Sequence, residues 1–239
     1  MKSKIFKIGI EIEGEFAQSI HSKLLALGGE IKGDGSVHNC SSSTSFHKKF
    51  PTSHLQSAEY VTQPIEMENR KHFKKIFDLL EDAKKSGEFH WNKTAGFHIH
   101  LSFKPKVPPE IRSTKFTKYA LDAIQNEFPL EYRIRTAGRW CRIDRLDDEQ
   151  FLRHPTDRYK AINFASIQKH GTVEFRIFPA KHPYKMYEYF RFIIKMVREY
   201  LEMEQSISIG AEIELNKPAM AFTTGTTIIR RNANEEITN

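Results

Sequence analysis

Acidic and imidazole side chains alternate with apolar residues in four separate segments of the chain. Because successive side chains of a β-strand point to opposite faces, each polar set shares one face of its strand. The polar residues, segment by segment, are Glu11, Glu13 and Glu15; Glu59; His98 and His100, followed by Ser102; and Glu174 with Arg176.

Carboxylates gathered on one face repel one another and raise each other's pKa unless cations lie among them. Hard oxygen ligands with an occasional imidazole suit Mg²⁺ or Mn²⁺. The helical His-Glu-x-x-His motif of zinc proteases is absent, and His98 and His100 are expected on a strand. For each strand taken alone, a solvated polar face is the alternative interpretation. The four sets together favour a site for divalent cations.

Arginines are concentrated in one short region, and two interpretations of them remain open. The region contains Arg133, Arg135, Arg139, Arg142 and Arg145. It is either a solvated charged surface or a set of guanidinium groups that bind phosphate and carboxylate oxygens. Metal-binding carboxylates beside arginines suit phosphoryl transfer from a nucleotide. The P-loop sequence is absent, and the turn at 33–36 is only a weak phosphate signal.

The spacing of apolar residues predicts the elements that must position these side chains. Helical periodicity predicts helices over about 16–27, 68–83, 116–124 and 184–202. Alternation predicts strands over 4–15, 30–32, 58–65, 96–103, 159–166 and 172–178. Strands without regular strand–helix alternation predict the α+β class with a largely antiparallel sheet.

Length, charge and cysteine content set the broad class of protein. The 239 residues carry 37 Lys and Arg against 30 Asp and Glu, a net charge of +7. Cys40 and Cys141 provide neither a disulfide framework nor zinc-site spacing. The first residues lack the apolar stretch of a signal peptide, and no segment approaches the roughly 18 apolar residues of a membrane span. We therefore expect a cytoplasmic protein.

The predicted organisation is one catalytic domain over residues 1–205. Within it the serine-rich segment 33–57 is predicted to be a flexible loop. Residues 206–239 are predicted to form a C-terminal tail that is packed or partly disordered.

The order of the motifs resembles the amidoligase family, over residues 7–180. The motifs are Gly9-Ile-Glu-Ile-Glu-Gly-Glu, Asp34-Gly-Ser-Val, Glu59-Tyr-Val-Thr-Gln-Pro-Ile, Ala95-Gly-Phe-His-Ile-His-Leu-Ser, Asn163 and Thr172-Val-Glu-Phe-Arg-Ile-Phe. That family comprises carboxylate–amine ligases related to glutamine synthetase and glutamate–cysteine ligase. The resemblance implies a curved antiparallel sheet that forms a half-barrel, with helices on the convex face. It also implies ATP and two or three divalent ions on the concave face.

The resemblance further implies a role for each matched residue. The metal that bridges the nucleotide phosphates is assigned to Glu11, His98 and Glu174. The metal beside the acceptor carboxylate is assigned to Glu13 and Glu59, with Glu15 assisting. Phosphate contacts are assigned to His100 and Arg176, and places near the substrate or amine to Asp34, Ser36 and Asn163.

The expected reaction is ATP-dependent formation of an amide from a small-molecule or peptide carboxylate and an amine, through an acyl phosphate. A general base must deprotonate the amine, and Asp34 or Glu15 is expected to serve. Arg139 and Arg142 are expected to hold the nucleotide phosphate or a substrate carboxylate. A homo-oligomer is compatible with the resemblance.

Two other functions remain open from the sequence. One is a different ATP-dependent phosphotransferase of the same fold, which would form a stable phosphorylated product. The other is a non-catalytic basic module that binds nucleic acid, which the positive net charge and the arginines would suit. Against the second, the carboxylate face would repel phosphates in the absence of metal.

Overall fold

A computed structural model describes residues 4–33, 55–92, 94–138, 141–143 and 157–215 of the chain. The chain divides into two compact units, Met1–Glu204 and Gln205–Asn239. In the first unit an antiparallel, open sheet is combined with helices, so the predicted α+β class is confirmed. The second unit is helical over its described residues 205–215. The glutamine-synthetase-like half-barrel stays a prediction.

Eight strands form one sheet in the described part of the chain, in the order β2-β3-β1-β6-β8-β7, with β4 and β5 also paired to β1. They are β1 (Lys4–Ala17), β2 (Glu30–Gly33), β3 (Leu55–Val61), β4 (Ile65–Glu66), β5 (Phe89–His90), β6 (Gly96–Lys104), β7 (Ile162–Asn163) and β8 (Thr172–Pro179). All of these strand pairs are antiparallel. Along one edge β1 pairs with β3 and then β4, and along the other with β6 and then β5. The long first strand is therefore the centre of the sheet.

The helices of the described residues lie between and after the strands. They are α1 (Gln18–Ala26), α2 (Lys71–Ser86), α3 (Thr114–Glu127), α4 (Pro129–Thr136), α5 (Ala165–His170) and α6 (Pro183–Leu215). A 3₁₀ turn, Met67–Asn69, precedes α2. None of these helices is both long enough and apolar enough to cross a membrane.

The core lies on one face of the sheet. Ile8, Ile10 and Ile12 of β1 are fully buried. The aromatic residues of helices pack against the same face, with Phe77 of α2 5.9 Å from Phe97 of β6 between ring centroids. Burying a side chain of this size contributes about 1.5–3 kcal/mol, so the alternation of β1 directs its isoleucines inward and its glutamates to the other face. We call that other face the polar face.

Two predicted elements differ at the beginning of the chain. The first strand continues through Ala17, so the helix predicted over 16–27 begins later, at Gln18. Phe16 pairs with Phe89 of β5 and is fully buried, which keeps it in the strand. The strand predicted over 58–65 is divided into β3 and β4. Leu55–Val61 begins inside the predicted loop 33–57, of which 34–54 lies outside the described residues.

The strand predicted over 159–166 is wrong for most of its length. Only Ile162–Asn163 is a strand, and the helix α5 follows at once. The Asn163 side chain explains the change, because its Oδ1 accepts a hydrogen bond from the backbone N–H of Ala165 at 2.9 Å. Such a side-chain acceptor favours the start of a helix over a continued strand.

Candidate metal centre

The register of the sheet brings the polar residues of the four strands into rows. Glu11 lies opposite His98 on β6, and Glu13 lies opposite Glu59 on β3. In a second row, Gly9 of β1 lies opposite His100, which lies opposite Glu174 of β8. A cleft with a volume of about 1440 Å³ opens over these rows. The site is thus built from strands far apart in sequence.

One group of ligand atoms consists of Glu11, His100 and Glu174. Oε1 of Glu11 lies 3.0 Å from Nε2 of His100, and Oε1 of Glu174 lies 3.9 Å from the same nitrogen. One ligand atom from each residue lies within 4.8 Å of the others, so the three could share one ion.

A second group consists of Glu11, Glu59 and His98, with the same mutual reach of 4.8 Å. The imidazole of His98 is 1% exposed, and its Nδ1 lies 3.0 Å from Oε2 of Glu11. Its Nε2 makes no hydrogen bond and faces Oε1 of Glu13 at 3.6 Å. Glu11 belongs to both groups, so its two carboxylate oxygens can serve two neighbouring ions.

The donor set fits a hard divalent cation. Carboxylate oxygens predominate, each group adds one imidazole, and the described ligands include no thiolate. A buried imidazole nitrogen without a hydrogen bond is costly unless another partner satisfies it. An ion among these atoms would provide that partner for Nε2 of His98 and would offset the repulsion between the carboxylates.

The charges of Glu11 and His100 stabilise each other. Burial disfavours ionisation of Glu11, but hydrogen bonds from His100 and His98 outweigh it and hold the pKa of Glu11 far below its usual range. Burial likewise opposes protonation of His100, but the hydrogen bond to Glu11 and the charge of Glu174 raise the pKa of His100 above its usual value. The site therefore keeps the Glu11 carboxylate ionised, the form that binds cations.

Two guanidinium groups form one wall of the cleft. NH1 of Arg176 lies 2.6 Å from Oε1 of Glu174 and 3.4 Å from Nδ1 of His98. Arg135 on α4 is 9% exposed, and its NH2 donates to the Arg176 carbonyl at 3.4 Å. The buried Nε atoms of both arginines have no hydrogen-bond partner. Burial lowers the pKa of Arg135, whereas Glu174 outweighs burial and raises that of Arg176. The wall could bind an anionic oxygen.

Residues behind the ligands hold Glu174 and Glu13 in place. Asn163 is 3% exposed, and its Nδ2 donates to Oε2 of Glu174 at 2.5 Å. The backbone N–H of Gly96 donates to Oε2 of Glu13, also at 2.5 Å. These contacts orient each carboxylate so that its other oxygen faces the imidazoles.

The structure places most of the predicted site residues together. Those that line the cleft are Glu11, Glu13, Glu59, His98, His100, Asn163, Glu174 and Arg176. Glu15 has the predicted strand position but is 2% exposed and does not line the cleft. Arg142 is exposed, pairs with Asp157 and does not line the cleft either. The predicted residues Asp34, Ser36 and Arg139 lie outside the described residues.

The cleft also contains residues to which the sequence assigned no individual role. Arg135 belongs to the arginine-rich region, but no helix was predicted there to turn it inward. Pro129 could have indicated this helix in the sequence, because proline favours the first position of a helix and α4 begins at that residue. Lys7, Thr62 and Lys169 also line the cleft.

Comparisons with protein-family models and with curated protein sequences find no match for this chain. The amidoligase resemblance therefore stays a prediction, and the geometry of the site is what supports a function.

Proposed function

We propose that this protein is an ATP-dependent carboxylate–amine ligase that forms an amide through an acyl phosphate. The observation that carries the proposal is the position of Glu11. Its carboxylate joins two groups of potential ligands, one with His100 and Glu174 and the other with His98 and Glu59. Adjacent cations on a dry polar surface are typical of sites that transfer a phosphoryl group between two oxygens.

The residues of the two groups would hold Mg²⁺ or Mn²⁺, which neutralises the negative charge of the nucleotide phosphates and of the acceptor carboxylate. The protein itself supplies a fixed arrangement of charges. Arg135 and Arg176 would each offer N–H donors to an anionic oxygen, and their burial strengthens such contacts relative to water.

The proposed reaction has two steps. A carboxylate oxygen of the acceptor attacks the γ-phosphorus of ATP, the bond to the β-phosphate oxygen breaks, and ADP leaves. The nitrogen of the amine then attacks the acyl carbon, phosphate leaves, and a base takes the surplus proton of the amine. Asp34 and Glu15 stay the predicted bases. Of the two, Glu15 is buried at the far end of β1 and would need a residue of the cleft to relay the proton.

A trapping experiment tests the reaction class. The protein is incubated with MgATP, hydroxylamine and a panel of amino acids and dicarboxylates. Acyl phosphates react with hydroxylamine to give hydroxamates, which are measured together with the release of phosphate. We expect hydroxamate and phosphate in equal amounts with one class of acid, and a loss of at least about 100-fold in Glu11→Gln.

Glu110→Gln is the matched control, since Glu110 is exposed and does not line the cleft. It should leave the rate unchanged. Equal turnover by Glu11→Gln and the unaltered protein would overturn the proposal. A stable phosphorylated product that forms without any amine would instead identify a phosphotransferase.

A further inference from the structure

Gly9 occupies an unfavourable position for a glycine. It lies inside β1, the central strand, between Lys7 and Glu11 on the polar face. Glycine in a strand interior weakens the strand, because it gains no side-chain packing and loses more backbone entropy on folding. Three causes commonly justify such a glycine: a bulge or bend, the close approach of other protein atoms, or the close approach of a ligand.

Protein contacts explain two other glycines of the sheet. A Cβ on Gly14 would lie 2.8 Å from the carbonyl oxygen of His90, and a Cβ on Gly96 would lie 2.7 Å from Nε2 of His98. Neither site has room for a side chain. The absence of a side chain at Gly14 and Gly96 is thus required by the fold itself.

Neither a bulge nor a protein contact explains Gly9. A Cβ built there would meet the Cβ of His100 at 3.7 Å and Oγ1 of Thr62 at 3.9 Å, which are ordinary van der Waals distances. Its backbone is not left-handed, and the irregularity in the β1–β6 ladder lies earlier, between Ile5 and Lys7. The fold would accept alanine, which leaves the approach of a ligand as the cause.

Gly9 belongs to a part of the cleft surface where the backbone of β1 is accessible. Strand β3, which pairs with β1, ends at Val61. Beyond it the side chain of Thr62 takes over a backbone partner of β1, because its Oγ1 accepts a hydrogen bond from the Ile10 N–H at 2.9 Å. Gly9 itself lines the cleft, as do Thr62 and His100. A ligand that reaches the first cation group can therefore rest directly on the backbone of β1.

The charges at this end of the cleft indicate which substrate lies there. The row next to Gly9 contains Lys7, Ser102 and Thr172, and Lys169 lines the cleft beside it. The opposite end carries Glu13 and Glu59 together with two cations, Lys32 and Arg135. The lysines at the Gly9 end attract a polyanion more strongly than the opposite end does, because positive and negative charges are mixed there. Among the two substrates of the proposed reaction, the nucleotide is the polyanion.

We propose that Gly9 is a specificity-determining residue of the nucleotide subsite: its missing side chain lets the phosphate-bearing part of a nucleoside triphosphate approach the sheet beside His100. This inference rests on the proposed function. A methyl group at position 9 would occupy this surface without displacing a protein atom and would push the nucleotide away from the cation groups.

Calorimetric binding of MgATP and of Mn²⁺ alone, with thermal unfolding of each variant, tests the inference. We expect Gly9→Ala to weaken MgATP binding about 10-fold and Gly9→Val about 100-fold or more. The affinity for Mn²⁺ should stay within about 3-fold, because the ligand atoms remain in place. Gly33→Ala is the matched control, since a Cβ at Gly33 has no neighbour within 4 Å among the described residues. It should bind MgATP like the unaltered protein.

The possible outcomes distinguish the role of Gly9 from the proposed ligase function. Folded Gly9 variants that bind MgATP with unchanged affinity would overturn the role of Gly9 and leave the ligase proposal standing. Variants that lose Mn²⁺ to the same extent as MgATP would also overturn it, because the side chain would then disturb the ligands. Failure of the unaltered protein to bind MgATP at all would overturn both.

Discussion

The backbone N–H of Gly96 donates a 2.5 Å hydrogen bond to Oε2 of Glu13, and the other oxygen of this carboxylate, Oε1, lies 3.6 Å from Nε2 of His98. A glycine is required for it. A Cβ at position 96 would come within 2.7 Å of Nε2 of His98, 2.9 Å of NH2 of Arg135 and 3.0 Å of Oε2 of Glu13.

Gly96→Ala is therefore expected to destabilise the protein by about 1–3 kcal/mol, the usual cost of overpacking a buried site. Urea unfolding followed by circular dichroism measures the change. Gly33→Ala, at the end of β2, where a Cβ would meet no described atom within 4 Å, should stay within about 0.5 kcal/mol of the unaltered protein. Equal stability of the two variants would show that the site around Gly96 relaxes freely.

Asn163→Asp removes one of the two side-chain hydrogen bonds of Asn163 and keeps the other. Aspartate keeps an acceptor for the Ala165 N–H, but it replaces the donor to Glu174 by an oxygen. Two carboxylates would then meet in a buried position, so we expect a loss of about 1–3 kcal/mol in the presence of a chelator. The measurement is again the free energy of unfolding. Gln125→Glu makes the same chemical change on an exposed helix position and should cost little; a matching small effect at Asn163 would contradict the prediction.

Ser113 is the N-cap of α3, and its Oγ accepts a hydrogen bond from the backbone N–H of Phe116 at 3.0 Å. Removing such a cap costs about 1 kcal/mol. Ser113→Ala should thus lower the melting temperature by about 2–4 °C in differential scanning calorimetry. Ser113→Thr, which keeps the hydroxyl, should lose clearly less. If both variants melt together, the hydroxyl is not what stabilises the helix start.

The stability contributed by Glu131 is expected to depend on pH. Burial raises the pKa of Glu131, but hydrogen bonds from Lys181 and Tyr189 outweigh burial and hold it below its ordinary value of 4.5. A carboxyl whose pKa is lower in the folded state stabilises the fold above its ordinary pKa and loses that contribution as the pH falls below it.

The measurement compares unaltered protein with Glu131→Gln by urea unfolding at pH 7 and at about pH 3. The difference in stability should be larger at pH 7. Asp122→Asn removes an exposed partner of Lys118 and should show little dependence on pH. A difference for Glu131 that grows toward low pH would reverse the sign and refute the assignment.

The sequence predicts which residues share a face of each long strand, because successive side chains of a strand point to opposite faces. Once Ile10 and Ile12 are buried, Glu11 and Glu13 must lie on the other face of β1. The strand register, which brings Glu11 opposite His98, follows from pairing and could not be derived from either segment alone.

The structure differs from the sequence-based predictions where a side chain forms hydrogen bonds in place of the backbone, and where tertiary packing determines which residue is buried. Asn163 ends its own strand by accepting a hydrogen bond from the Ala165 N–H at the start of α5, and the apolar pattern of 159–166 does not reveal this contact. In the arginine-rich region, composition alone does not distinguish Arg135, which is buried in the cleft, from Arg142, which is exposed beside Asp157. Only the position of α4 against β8 separates the two.

Glu11 and Glu174 share a candidate cation group although they belong to the central strand and to β8, which lie far apart in the sequence. An ion bound by both carboxylates would link β1 to β8 for as long as it stays bound. The unfolded chain has no such meeting point, so mass action favours the folded form whenever the ion is abundant. At an ion concentration 100 times the dissociation constant this gain is about 2.7 kcal/mol, a sizeable share of the stability of an ordinary domain. The concentration of the ion would then set part of the stability of the fold.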